Sequence, residues 1–135
     1  MTQKYHLYRL CAITSVITLL ADQISKWWFI YELRLPDREI ILLPFFKLVM
    51  VWNYGVSFGM FADKAESQKW LLSGLALAII AVLLYWLKSA ENKLVALGVG
   101  LVIGGAIGNV IDRMRFGAVA DFFYLHYEDF YWPAF

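Results

Sequence analysis

Three segments of the chain are apolar over a length that suits a membrane-spanning helix, which needs about 20 residues. The first, 8–30, contains a long uncharged run, and the other two, 70–87 and 94–111, carry no charge. The first segment is not typical of a cleaved signal peptide, because no small-residue cleavage site follows it and apolar residues resume at Trp27. The pattern therefore predicts three transmembrane helices in a single membrane-embedded domain, 1–135.

The charges in the connecting segments predict an orientation in the membrane. The N-terminal residues and the link between the second and third spans carry an excess of lysine and arginine, whereas 31–69 balances basic against acidic residues. Short loops that are rich in lysine and arginine stay on the cytoplasmic side. We therefore expect a cytoplasmic N-terminus, with 31–69 and the tail, 112–135, on the extracytoplasmic side.

The segment 40–61 is rich in β-branched and aromatic residues but is not a further span. It is too short and is interrupted by Pro44, Gly55 and Gly59. This pattern predicts strands or an interfacial platform that lies on the membrane; a re-entrant hydrophobic loop is the alternative. The predicted fold class is therefore an all-α integral membrane protein with a small extracytoplasmic β or interfacial platform.

The composition of the chain agrees with a membrane protein and excludes several other classes. Hydrophobic residues make up 61% and charged residues 17% of the sequence, against about 45–50% and about 25% in soluble domains. The single cysteine excludes a disulfide framework or a cysteine-based metal site. The formal net charge of +1 argues against a nucleic-acid partner.

Polar residues near the end of the first span form the first candidate site. On a helix, Asp22 shares one face with Ser25 and Lys26. An ionisable group at membrane depth is costly and therefore suggests function. The alternative is an ordinary helix end with Lys26 reaching to the interface, which explains Asp22 less well because Asp22 lies one turn deeper.

The third span ends in a second polar group, in which Asn109, Asp112 and Arg113 share one helix face. Small residues at four-residue intervals precede them and predict close helix packing: Gly100, Gly104 and Gly108. A structural pairing in which Arg113 neutralises Asp112 is an open alternative to a functional role.

Two further positions complete the candidate set. Asn53 offers two donors and an acceptor, and Gly55 permits a close backbone approach, although a tight turn would explain both. Asp121 is a lone carboxylate in an apolar stretch. Burial would raise its pKa and suit it to acid–base chemistry; a helix cap or a surface position is the alternative.

Together these clusters resemble the motifs of the lipoprotein signal peptidase family, also called signal peptidase II. The matching motifs, in chain order, are D-Q-x-S-K at 22–26, N-x-G-x-x-F-G at 53–59, G-G-A-x-G-N-x-x-D-R at 104–113, V-x-D-F at 119–122 and W-P-x-F at 132–135. The order and spacing extend over nearly the whole chain, so chance similarity is a poor explanation.

The resemblance implies a multi-pass aspartic endopeptidase of the bacterial cytoplasmic (inner) membrane, with its active site at the periplasmic face. Its substrates would be diacylglyceryl-modified prolipoproteins, cut just before the lipidated cysteine. It would need no metal or cofactor. We expect a monomer whose partners are these substrates and the lipid bilayer, without nucleic acid.

The resemblance also implies roles for individual residues. In the family two aspartates share a proton, one acting as the base on water and the other polarising the scissile carbonyl. Asp121 matches the first of these catalytic aspartates. The positions that match substrate-binding or site-supporting residues are Asp22, Lys26, Asn53, Gly55, Asn109, Asp112 and Arg113.

The second catalytic aspartate is not found in this sequence. In the family, N-x-A-D and a fourth span follow the W-P-x-F element, whereas this sequence stops at Phe135. We therefore expect a truncated form that is inactive as written. The alternative is a non-catalytic membrane protein that only binds lipoproteins or lipid. A small transporter or channel is less consistent with the polar groups lying at one membrane face.

Overall fold

The computed structural model describes residues 2–55, 65–127 and 130–134. Within these ranges the chain forms three α-helices, each long and apolar enough to cross a membrane. They are α1 (Thr2–Trp27), α2 (Ala65–Leu87) and α3 (Lys93–Phe116). A π-helical turn, Trp28–Glu32, continues α1, and a 3-10 turn, Leu35–Asp37, follows it. The prediction of three helices that are long and apolar enough to span a membrane is confirmed.

The central helix is α3, because both α1 and α2 pack against it. Its small-residue face allows α1 to approach closely. A Cβ atom added to Gly104 would lie 2.5 Å from the carbonyl oxygen of Ser15 and 2.7 Å from Cβ of Thr18. A Cβ atom on Gly100 would lie 2.7 Å from Cβ of Thr14. The glycines therefore set the distance between the two helices.

Local capping explains where α3 begins and ends. The side chain of Asn92 accepts a hydrogen bond from the backbone N–H of Val95 at 2.9 Å, which satisfies one free donor at the helix start. Gly117 adopts a left-handed conformation with φ of 80° and donates its N–H to the carbonyl of Arg113. The helix therefore continues beyond the uncharged segment 94–111, and the first part of the expected tail is helical.

The described strands form one antiparallel sheet in the order β1-β2-β3-β4. They are β1 (Ile40–Leu43), β2 (Phe46–Asn53), β3 (Val119–Tyr127) and β4 (Phe130–Tyr131). The predicted platform is thus confirmed as a sheet for β1 and β2, and 56–61 lie outside the described residues. The sequence did not predict β3 and β4, so the label all-α understates the strand content.

Two apolar cores lie at opposite ends of α1. One joins the first half of α1 to the start of α3 and includes Leu7, Val99 and Ile103. The other joins the end of α1 to the sheet: Phe29 of the π-helical turn packs on Phe122 of β3, with ring centroids 4.9 Å apart. The second core therefore fixes β3 against the end of α1.

The tight α1–α3 contact predicts that Gly104→Ala destabilises the protein. The added methyl group would meet the α1 backbone, and overpacking of this kind costs about 1–3 kcal/mol. The matched control is Gly98→Ala on the same helix, where an added Cβ meets nothing within 4 Å. Thermal unfolding in detergent should show a lower Tm for Gly104→Ala alone. Equal Tm values for the two variants would contradict the close approach.

Candidate functional site

Strand register brings Asn53 and Asp121 together although they lie far apart in the chain. Val51 of β2 stands opposite Asp121 of β3. Asn53, two residues further along β2, shares the same sheet face and is a diagonal neighbour of Asp121. Its Nδ2 donates a hydrogen bond to Oδ2 of Asp121 at 3.0 Å. The sequence prediction that both residues belong to one site is consistent with this geometry.

A β-bulge makes this pairing possible. The register shifts between Leu48 and Val51, so that β2 contains one residue more than β3 over this stretch. In an uninterrupted register Asp121 would stand opposite Met50, and Trp52 would share its face in place of Asn53. The bulge therefore places an amide, and not an indole ring, beside the carboxylate.

Gly55 fixes the orientation of the Asn53 amide. The backbone N–H of Gly55 donates to Oδ1 of Asn53 at 2.8 Å, which leaves Nδ2 to face Asp121. Gly55 has a φ of +112°, and a Cβ there would collide with the side chain of Leu72 on α2. The predicted close approach at Gly55 is thus made to α2. Phe58 and Gly59 of the same motif lie outside the described residues.

The surroundings of Asp121 favour its neutral form more than water does. Asp121 is half-buried, and this burial raises the pKa of its carboxyl group above the ordinary value. The hydrogen bond from Asn53 and the positive charges of Lys26 and Arg113 partly offset this rise in pKa. The net effect is a pKa above the ordinary value of an aspartate, which is the direction that acid–base chemistry at a carboxyl group favours.

The remaining polar residues of α1 and α3 form what we call the buried network: Asp22, Gln23, Lys26, Asn109 and Asp112. Lys26 lies at its centre, with Nζ 3.0 Å from Oδ1 of Asp22, 2.6 Å from Oδ2 of Asp112 and 3.4 Å from Oδ1 of Asn109. Lys26 is only 9% exposed. The alternative in which Lys26 reaches to the interface is therefore wrong.

Gln23 is a member of the buried network in addition to the site residues predicted from the sequence. Its Nε2 donates to Asp22 at 3.0 Å and to Oδ1 of Asp112 at 3.1 Å. The D-Q-x-S-K motif was a signal for it, since an amide with two donors can join two carboxylates. Ser25, expected on the same face, instead donates to the carbonyl of Asp22 within α1.

Asp112 connects the buried network to the strand that carries Asp121. Its side chain is 1% exposed, and its Oδ2 accepts a hydrogen bond from the backbone N–H of Ala120 at 3.4 Å. Ala120 directly precedes Asp121 in β3. Asp112 therefore anchors the peptide next to the candidate catalytic carboxylate, a contact that no sequence motif could reveal.

Asp112 forms its direct ion pair with Lys26 and not with Arg113, although the charges of Asp112 and Arg113 still interact. Neighbouring residues on a helix point about 100° apart, so they do not face each other. Within the described ranges Arg113 forms no ion pair, and its Nε is buried without a hydrogen-bond partner. Its charge nevertheless acts on Asp121. Arg113 is thus a cation whose charge acts on Asp121 and whose buried Nε has no hydrogen-bond partner among the described residues.

A cleft of about 360 Å³ opens beside Asp121. Asn53, Gly55 and Asp121 line it together with Pro133 and Ala134 from the C-terminal segment. Asp22, Lys26 and Asp112 do not line the cleft and belong to the buried network. The predicted site residues therefore divide into a group at the cleft and a group that supports it.

The buried network predicts that Lys26→Met strongly destabilises the protein. Removing the lysine takes away the ion-pair partner of both Asp22 and Asp112, and breaking a buried pair costs about 3–5 kcal/mol. Lys47→Met is the matched control, since Lys47 forms an ion pair with Glu39 at 2.8 Å at the surface and should matter little. The free energy of unfolding in mixed micelles measures both. If the Lys26→Met protein were as stable as the control, Lys26 would not be the residue that balances the charges of Asp22 and Asp112.

Comparison with known proteins places this site in a family. The family model described as signal peptidase (SPase) II matches residues 14–135. Two proteins named lipoprotein signal peptidase, from Pseudoalteromonas atlantica and a Methylobacterium species, are each 42% identical over 123 residues, which is 90% of this chain and 74% of theirs.

Two solved structures described as a bacterial membrane enzyme share the fold. Their TM-scores are 0.74 and 0.76 at 23% and 22% identity, and the match covers 93% of this chain and 75% and 79% of theirs. The fold, the membrane-spanning helices and the family match agree with one another. The chain belongs to the signal peptidase II family of lipoprotein signal peptidases.

Proposed function

We propose that this protein is an aspartic endopeptidase that removes signal peptides from diacylglyceryl-modified prolipoproteins, cutting just before the lipidated cysteine. Family membership supports the coarser activity, the removal of signal peptides from prolipoproteins. The observation that carries the finer proposal is the half-buried Asp121 carboxylate, which lines a cleft and accepts a hydrogen bond from Asn53 at 3.0 Å. Burial raises the pKa of this carboxyl group, which is the direction that suits a group that exchanges protons in catalysis.

In this proposal Asp121 is the base that activates water. It takes a proton from water while the oxygen attacks the scissile carbonyl carbon. The resulting tetrahedral intermediate then expels the amino group of the cysteine, which takes up the proton that Asp121 had accepted. The Asn53 amide donates to Asp121 and so favours the ionised form that a base needs. A second, protonated carboxyl group would polarise the carbonyl.

The resemblance implies that this second carboxyl group follows the W-P-x-F element in the family sequence. Pro133 and Ala134, which belong to that element, line the same cleft as Asp121. A residue a few positions later along the chain can lie only a limited distance from this cleft, because each residue adds at most about 3.3–3.6 Å. This placement supports a pair of carboxyl groups, Asp121 and the later one, in a chain that continues as the family sequences do.

Arg113 and Asn109 are proposed to contact the substrate, and the other members of the buried network, Asp22, Gln23, Lys26 and Asp112, to support the site. Arg113 is partly exposed, and its positive charge acts on Asp121. A guanidinium group donates readily to backbone carbonyls, so Arg113 can orient the peptide on either side of the scissile bond. Asp22, Lys26 and Asp112 would act indirectly, through the position of β3.

The proposed location is the cytoplasmic membrane of a bacterium, with the N-terminus in the cytoplasm and the site at the periplasmic face. A diacylglyceryl group keeps the cysteine of the substrate at the level of the lipid headgroups. The cleft lies where α1 and α3 end and the sheet begins, which is the level at which such a peptide bond would stand. We propose that the protein acts as a monomer within the bilayer.

The proposal predicts that Asp121→Asn causes uncleaved prolipoprotein to accumulate. Loss of a general base lowers the cleavage rate by about 100-fold or more. The protein should be expressed from its complete reading frame in cells depleted of their own signal peptidase II, and processing followed by pulse labelling. Asp37→Asn, at an exposed position of the 3-10 turn, is the control and should process normally. Normal processing by Asp121→Asn would exclude Asp121 as the base.

The Asn53 contact predicts a change in pH dependence. The Asn53 hydrogen bond lowers the pKa of Asp121, so its removal in Asn53→Ala raises that pKa further. Because a base acts in its ionised form, the acid limb of the profile of kcat/KM against pH should move to higher pH. Asn92→Ala, which removes the cap at the far end of α3, should leave the limb in place. A limb that does not move in Asn53→Ala would contradict the proposed role of Asp121.

A further inference from the structure

We infer that Gly108 is a positioning residue for Asp121, because its missing side chain provides the space in which the Asp22 carboxylate lies. Gly108 is buried in α3, and a Cβ there would collide with Oδ2 of Asp22 and lie 2.9 Å from its Cγ. The backbone carbonyl of Gly108 also accepts a hydrogen bond from Nε2 of Gln23 at 3.4 Å. The catalytic part of this inference depends on the proposed function; the structural part does not.

A continuous series of contacts leads from Gly108 to the candidate catalytic carboxylate. Oδ1 of Asp22 forms an ion pair with Nζ of Lys26, and Oδ2 of Asp22 accepts a hydrogen bond from Nε2 of Gln23, both at 3.0 Å. These two donors also bind the two oxygens of Asp112, at 2.6 and 3.1 Å. Asp112 in turn accepts the N–H that precedes Asp121. A shift of Asp22 would therefore disturb both donors that fix Asp112.

The other two glycines of the same helix face do something different. Added Cβ atoms at Gly100 and Gly104 would meet backbone carbonyls and threonine side chains of α1, so these glycines serve helix packing. Only at Gly108 does the space receive a charged group of the buried network. The regular spacing of small residues thus includes one position with an additional role.

In Gly108→Ala the Asp22 side chain can respond to the added methyl group in two ways, and both weaken the buried network. The side chain either rotates away from α3 and lengthens its contacts to Lys26 and Gln23, or stays and pushes the helices apart. A misplacement of about 1 Å near reacting groups can lower a rate by about 100-fold. Substrate binding at the cleft involves other residues, so the loss should fall on kcat.

The catalytic test compares Gly108→Ala with Gly100→Ala in cleavage of a diacylglyceryl peptide by the purified protein expressed from its complete reading frame. Gly100→Ala is a packing control: its methyl group would lie 2.7 Å from Cβ of Thr14 but would not touch the buried network. We expect kcat to fall by about 10- to 100-fold in Gly108→Ala with KM within about twofold, and both constants to stay near the native values in Gly100→Ala. Equal losses of kcat in the two variants, or a loss confined to KM, would overturn the inference.

A double-mutant cycle on stability tests the structural part without any activity. In an Asp22→Ala background the colliding atoms are gone, since only Cβ of residue 22 would remain, at 3.6 Å from the added methyl group. Gly108→Ala should therefore lower Tm clearly in the native background and little in the Asp22→Ala background. Equal decreases in both backgrounds would refute the role of Asp22.

The two tests separate the failure of this inference from failure of the proposed function. If the unsubstituted protein does not cleave the peptide, the proposed function fails and the stability cycle decides the inference. If the unsubstituted protein is active and the cycle shows no coupling between positions 22 and 108, the inference alone fails.

Discussion

The structure depends on one buried interaction, the contact of Lys26 with Asp112 at 2.6 Å between α1 and α3. Neither charge could remain in this apolar setting alone, because the cost of burying an uncompensated charge exceeds that of most packing defects. The pair therefore determines how α1 and α3 are aligned along their axes and not only how close they are. Glycines set the distance between the helices, and the charges set their register.

The same alignment also determines the geometry of the sheet. Asp112 anchors the peptide group of Ala120, and Phe29 packs against Phe122 two residues later. The start of β3 is thus held by contacts with α3 and with the end of α1 that do not involve β2. The bulge in β2 then adapts the other strand to this fixed position, so that Asn53 meets Asp121. The helices provide a rigid support, and the strand pairing completes the site on it.

The sequence was informative wherever a single segment carried the signal. Uncharged runs predicted the three helices, and a four-residue glycine spacing predicted the close contact with α1. It was not informative where two segments had to be paired. Strand β3 is rich in aromatic residues without clear alternation, and it forms only because β2 and the end of α1 offer it partners. Asp112 pairs with Lys26 and not with Arg113 because of how α1 and α3, which are far apart in the sequence, are aligned.

The arrangement of charges on α1 has a consequence for biosynthesis. Synthesis proceeds from the N-terminus, so α1 is made before α3, which supplies Asp112. During that interval Asp22 already neutralises Lys26 from one turn away on the same helix, at 3.0 Å. The polar region of an isolated α1 is therefore close to electrically neutral, which lowers the cost of placing this helix in the membrane before α3 joins it. The arrival of α3 then turns a local ion pair into the shared one that joins the two helices.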